Sequence, residues 1–138
     1  DDVVYLADCL SSRETIDKYK IGFIYDVAAY LETLEKVKTM EANIFVPSHA
    51  DPTEDITELA QYNIDKVNEV AYKIVEICAE PISFEKILQT VFTDYDLVMN
   101  FEQHALVGST VRSYLGWLRD AGRLDVEFTD NMLLWKQA

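Results

Sequence analysis

Two side chains in this 138-residue sequence stand where chemistry is easiest to build. Asp8 follows the apolar run "VVYLA" at residues 3–7, and His49 follows "NIFVP" at residues 43–47. A carboxylate and an imidazole are both donors to divalent cations. Such an ion needs four or more donors, so these two residues alone would leave it mostly hydrated. Each also has a plainer reading. Asp8 at a strand end can cap the following turn, and His49 can be a loop histidine. The chain has one other histidine, His104, which falls at the start of a helix and reads as a surface residue. Cys9 lies next to Asp8, but neighbours on a strand point to opposite faces, so Cys9 reads as a buried structural thiol. Asp51 and Glu54 read as helix-capping groups, with Asp51 also close enough in sequence to orient His49.

The elements that must position Asp8 and His49 follow from the apolar pattern. The run at 3–7 is β-branched and aromatic without helical periodicity, which predicts a buried strand. "LSSRETIDKYK" reads as a short helix or loop. Asp26 can cap a helix whose Val27, Tyr30, Leu31, Leu34 and Val37 form one apolar stripe. The second run, 43–47, predicts a strand ended by Pro47. Strand, helix, strand is a βαβ unit with parallel strands, so both carboxyl ends point the same way. Ligands of open α/β sheets bind at that edge. Asp8 and His49 both fall there.

A long helix follows to about residue 79. "DPTE" at 51–54 and "DITE" at 55–58 are both start signals, one turn apart. Ile56, Leu59, Ala60, Val67, Val70, Ala71, Ile74 and Cys78 supply its buried stripe. At "AEPIS" (79–83) the style changes. Ser83 caps a short helix, a longer one runs from about His104 to Ala121, and Gly122 stops it. "RLDVEF" and "MLLWKQ" flank "TDN" as a hairpin. The order helix, short helix, longer helix, hairpin is that of a winged helix-turn-helix. The reading divides the chain into 1–55, a connecting helix at 56–80, and a winged-helix-like domain at 81–138.

Composition narrows the class. Half of the residues are apolar, enough for a packed core. No apolar run approaches the ~18 residues of a membrane span, so no membrane partner is expected. Cys9 and Cys78 form no zinc-finger or disulfide spacing, which fits reduced thiols and a cytoplasmic location. The start "DDVVYLAD", inside a strand-like run, suggests a piece of a longer protein. The formal charge is −13, and segments 1–55, 56–80 and 81–138 carry −7, −3 and −3.

"VVYLADCLSS" resembles the segment of metallo-β-lactamase-fold hydrolases that reads Gly-Asp followed by small and apolar residues. "IFVPSHA" resembles their last metal motif, Pro-Gly-His-Gly. The resemblance implies an α/β fragment, the second half of an αββα sandwich, followed by a mostly α winged-helix domain. It implies that Asp8 bridges two divalent metals and that His49 binds the second. Zinc is the first expectation, with iron or manganese as alternatives. The family's His-x-His-x-Asp-His motif and a further histidine are absent from this sequence. The chain is therefore expected to be the inactive C-terminal portion of a metal-dependent hydrolase, with no metal tightly held. The substrate of a complete enzyme would be a small ester, thioester, amide or phosphodiester. Ala7, Ser48 and Ala50 stand where the family has glycine. Strand edges left uncovered predict a homo-oligomer.

The alternative is a non-catalytic winged-helix module contacting protein, RNA or DNA. Arg112, Arg119 and Arg123 are its nucleic-acid candidates. Three arginines in an acidic chain are a thin footprint for phosphate. We expect no salt-dependent retention of DNA or RNA in filter binding. A Kd rising steeply between about 50 and 200 mM salt would reverse this reading.

Overall fold

The computed structural model describes residues 2–138 and divides into two compact units. The first takes residues up to Gly22 together with Asp26–Asn68, and the second takes Phe23–Tyr25 and Glu69–Ala138.

In the first unit, β1 (Val3–Ser11) pairs in parallel with β2 (Ile44–His49), and α2 (Val27–Lys38) makes the crossover between them. A short helix, α1 (Arg13–Tyr19), follows β1 and is capped by the Ser12 hydroxyl, which accepts from Thr15 N at 3.1 Å. The Asp26 carboxylate accepts from Ala29 N at 2.9 Å and starts α2. Leu34 and Val37 of the α2 stripe are buried, and Tyr30 and Leu31 pack beside them. They meet Leu6, Leu10 and Phe45 from the sheet and Ile56, Ala60 and Ile64 from the start of α3 (Thr57–Ile77). The expected βαβ unit is present.

Three boundaries differ from expectation. β1 continues beyond residue 7 to Ser11, so Asp8 lies inside the strand. β2 does not end at Pro47, which is buried within it, and runs on to His49. Proline lacks only a donor, and a strand whose N–H faces the edge there loses nothing. The helix does not start at "DPTE". That stretch folds back on β2 instead, with Phe45 and Thr53 exchanging both backbone hydrogen bonds, at 2.7 and 3.0 Å. Asp55 takes the capping role, accepting from Thr57 N at 2.9 Å, and that bond holds its carboxyl below the usual range.

The two strands differ in length, nine residues in β1 against six in β2. The register runs Val3↔Ile44, Val4↔Phe45 and Tyr5↔Val46, then slips to Ala7↔Pro47 and again to Ser11↔His49. Ala7 absorbs the first slip with φ of 48°, a left-handed conformation that costs a non-glycine residue roughly 1–2 kcal/mol.

In the second unit, α4 (Phe84–Asp94) and α5 (Phe101–Asp120) precede a hairpin of β3 (Leu124–Thr129) and β4 (Met132–Gln137). Ser83 caps α4 through Lys86 N at 3.4 Å. Asn100 caps α5 through Gln103 N at 2.8 Å, so α5 begins one turn before the expected His104. Gly122, at φ of 74°, ends it. Asp130 and Asn131 form the two-residue turn, both at positive φ as a type I′ hairpin needs. Ile82 bonds to Trp135 in both directions, adding a short third line to the hairpin. Ile87, Leu88, Val91, Val107, Val111, Leu115 and Leu118 are buried in this unit.

The strain at Ala7 makes a prediction. Ala7→Gly is expected to raise unfolding stability by about 0.5–1 kcal/mol, since glycine adopts positive φ freely. Urea denaturation measures it, and an unchanged or lowered midpoint would show that Ala7 is unstrained.

Candidate metal-ligand pair and its groove

The slips in register bring Asp8 and His49 together. Between Ala7↔Pro47 and Ser11↔His49, β1 takes three intervening residues, Asp8, Cys9 and Leu10, while β2 takes one, Ser48. The surplus loops β1 outward, and the His49 Nε2 comes to 2.9 Å from Asp8 Oδ1. Both side chains remain open to solvent, 79% exposed for Asp8 and 57% for His49. An ion pair this exposed contributes little to stability. The pair is a surface feature carried by the fold, with both donor atoms accessible to a ligand.

Cys9 is packed against the apolar cluster, beside buried Leu10. Burial pushes its thiol up, and Asp8 adds to the rise. It is a poor nucleophile there. Cys78, in the second unit, is buried and pushed up to about 11.

At the bulged end of β1, Ser11 pairs in register with His49, and its own N–H and C=O are taken by Asn63 of α3. Its Nδ2 donates to Ser11 O and Leu59 O, each at 2.9 Å, and its Oδ1 accepts from Ser11 N at 3.0 Å. The Tyr30 hydroxyl also donates to Oδ1, at 3.3 Å. Asn63 is 2% exposed, so every polar atom of its amide is used inside the protein. Burial pushes the Tyr30 hydroxyl up to about 12. Sequence reasoning missed Asn63. The signal was present: a polar residue one helical turn beyond Leu59, inside an apolar stripe, must have a partner if it is buried.

Beyond the strand ends lies a groove of about 380 Å³, with Ser12 and Arg13 on one side and Ala50, Asp51, Asp55 and Glu58 on the other. Ser12 N donates to His49 O at 3.0 Å, which ties this groove to the end of β2. Asp51 lines it, two residues from His49. Arg13 lies over the Tyr62 ring at 4.7 Å, and the Tyr62 hydroxyl donates to Asp17.

The remaining candidates lie in the second unit, away from this constellation in sequence. His104 Nε2 sits 3.2 Å from both Glu85 carboxylate oxygens. Arg112 stacks on Phe84 at 3.6 Å, and Arg119 and Arg123 are exposed. Among the described residues no three His, Cys, Asp or Glu side chains cluster to hold a metal, and no helix is long and apolar enough to cross a membrane.

Asn63→Ala is expected to destabilise the chain by about 2–3 kcal/mol, because it strands buried groups of Ser11 and Leu59. Denaturant titration checks this, and a loss under about 0.5 kcal/mol would mean that water replaces the amide. Tyr30 supplies a pH test. Its folded value of about 12 exceeds the ordinary value of 10.0, so its contribution is present below pH 10 and is lost as pH rises toward 12. Tyr30→Phe should flatten that alkaline decline in a melting series.

No protein-family model matches this sequence, nor does any curated protein. Solved structures do match. A β-lactamase domain protein from Burkholderia ambifaria superposes with a TM-score of 0.77 at 19% identity, covering 100% of this chain. A metallo-β-lactamase family protein from Thermus thermophilus superposes with a TM-score of 0.71 at 12% identity, covering 99% of it. The chain spans 42% of the length of each. Identities this low carry the fold alone: this chain folds like part of a metallo-β-lactamase-family protein.

Proposed function

We propose that this chain is the C-terminal portion of a metal-dependent hydrolase and contributes Asp8 and His49 as ligands to its metal centre. The observation that carries this is the 2.9 Å approach of His49 Nε2 to Asp8 Oδ1 on an open strand edge. Two donor atoms each about 2.0–2.2 Å from one ion, at 90–110°, lie about 2.9–3.5 Å apart, so the pair fits a shared divalent cation. The names of the superposed proteins point to the same chemistry. A divalent ion in such a centre lowers the pKa of its bound water toward neutrality and supplies the nucleophile for an ester, thioester, amide or phosphodiester.

The chain's own residues divide the remaining work. The bulge in β1 aims the Asp8 carboxylate at the imidazole. Asn63 fixes the strand just beyond it. His49 presents Nε2 from the last position of β2, with its carbonyl held by Ser12 N. Asp51, two residues along the chain and in the groove wall, is the candidate to orient the imidazole. Two donors do not complete a catalytic centre. Alone, the chain is inactive and holds no metal tightly. With the remaining ligands supplied by further polypeptide, the centre takes two divalent ions, zinc first.

A second reading concerns residues 81–138. The succession of α4, α5 and the hairpin, with Ile82 bridging Trp135, supports a winged-helix-like module. Its acidic balance favours protein over nucleic acid as partner. Val3 and Tyr5 are exposed on β1, which supports self-association of the isolated chain. Two free thiols fit a cytoplasmic setting.

The test is metal content. In a longer chain that supplies a His-x-His-x-Asp-His motif, about two metals per chain are expected. Asp8→Ala or His49→Ala should each lower that content and abolish hydrolysis. Full metal retention in both variants would remove the ligand assignment. The 138-residue chain should hydrolyse no lactam, thioester or phosphodiester above background, and zinc-dependent turnover by it would contradict the reading.

A further inference from the structure

The α4–α5 connection in the second unit exposes a run of large apolar side chains. Val98 is 81% exposed and Phe101 85%, with Met99 and Leu106 also open. Single exposed apolar residues are ordinary, but Val98, Met99 and Phe101 stand together at the connection and the first position of α5. Beside it lies a groove of about 440 Å³, floored by Phe92, Leu97 and Met99 and walled by Glu85 and His104.

This patch is held in place on both sides. Asp96, at φ of 55°, ends α4 in the left-handed conformation, and Leu97 N then returns to Phe92 O at 2.8 Å. That is the helix-terminating motif that anchors the next apolar residue against the last turn. Asn100 caps α5 immediately afterwards. Val98 and Met99 are therefore presented from a connection tied at both ends. A partner would lose little to ordering this surface on binding.

Charge selects the partner. Between residues 81 and 106 there are four carboxylates, Glu85, Asp94, Asp96 and Glu102, and one cation, Lys86. Lys73 offsets Asp94 at 3.2 Å, and His104 sits against Glu85. Glu102 and Asp96 remain exposed at the rim of the patch. Phosphate and anionic lipid are repelled by such a rim. We propose that this face docks a basic amphipathic helix of another protein, with its apolar side chains on Val98, Met99 and Phe101 and its lysines or arginines toward Glu102 and Asp96. An amphipathic helix presents apolar side chains at i, i+3, i+4 and i+7 on one face with its cations beside them.

The experiment uses the 138-residue chain and a labelled helical peptide of leucine and lysine, with leucines at i, i+3, i+4 and i+7. Fluorescence anisotropy should show saturable binding. Phe101→Ser and Val98→Ser should each weaken it by about tenfold, as loss of an interface anchor does. Phe101→Leu should restore most of the affinity. Phe128→Ser, on the hairpin of the same unit, should leave it unchanged, which separates docking from general attraction to an acidic protein. Both target side chains are exposed, so the variants retain the fold, and circular dichroism verifies that. Equal affinity in wild type and Phe101→Ser overturns the proposal. So does equal binding of a peptide with glutamate in place of lysine. A wild-type dimer in sedimentation that Phe101→Ser dissociates would assign the face to a second copy and also overturn it.

Discussion

The arrangement of the first unit depends on one mismatch: nine residues of β1 are paired against six of β2. A parallel ladder of equal strands would carry Asp8 and His49 past one another, each on its own pleat. The left-handed turn at Ala7 prevents this. It takes β1 out of register just before the carboxylate, and the surplus residues swing Asp8 across to the imidazole. A local cost in backbone energy thus becomes a fixed distance between two functional groups, as backbone outliers at functional sites often do. Ser11, paired in register with His49, has its own N–H and C=O taken by the buried amide of Asn63.

Much of this was legible from residue patterns, and the failures share one physical origin. The crossover helix declared itself through Asp26 and its apolar stripe, because capping and periodicity are local properties. The hairpin did so through Asp130 and Asn131, which tolerate the positive φ its turn requires. What escaped was register. Ala7 looks like a small residue in a strand, and no local preference marks it as left-handed. Only its correspondence to a glycine in a resembling family hinted at that. "DPTE" carries a sound helix-start signal, yet Thr53 pairs with Phe45. Two backbone hydrogen bonds to an existing strand, with Asp55 free to cap one turn later, outweigh an early cap. Asn63 was passed over because the strand it holds, at Ser11, lies 52 positions away.

The two candidate surfaces rest on different physics. Asp8 and His49 are polar and convergent, and the proposal for them is an ion with further ligands. The connection at 98–101 is apolar, tied at both ends and acid-rimmed, and the proposal for it is a cationic protein segment. The division of the chain into two units places each surface on its own unit, and each can be assayed through its own side chains.

Pro47 has a consequence for the sheet as a whole. Phe45 spends its N–H and C=O on Thr53, away from β1. Two residues on, Pro47 turns the same way and carries no N–H at all. The outer side of β2 is thus occupied at Phe45 and offers an acceptor but no donor at Pro47. β1 has a single strand neighbour among the described residues. The two edges of the sheet are therefore unequal: a further strand would find fewer open backbone donors beside β2 than beside β1.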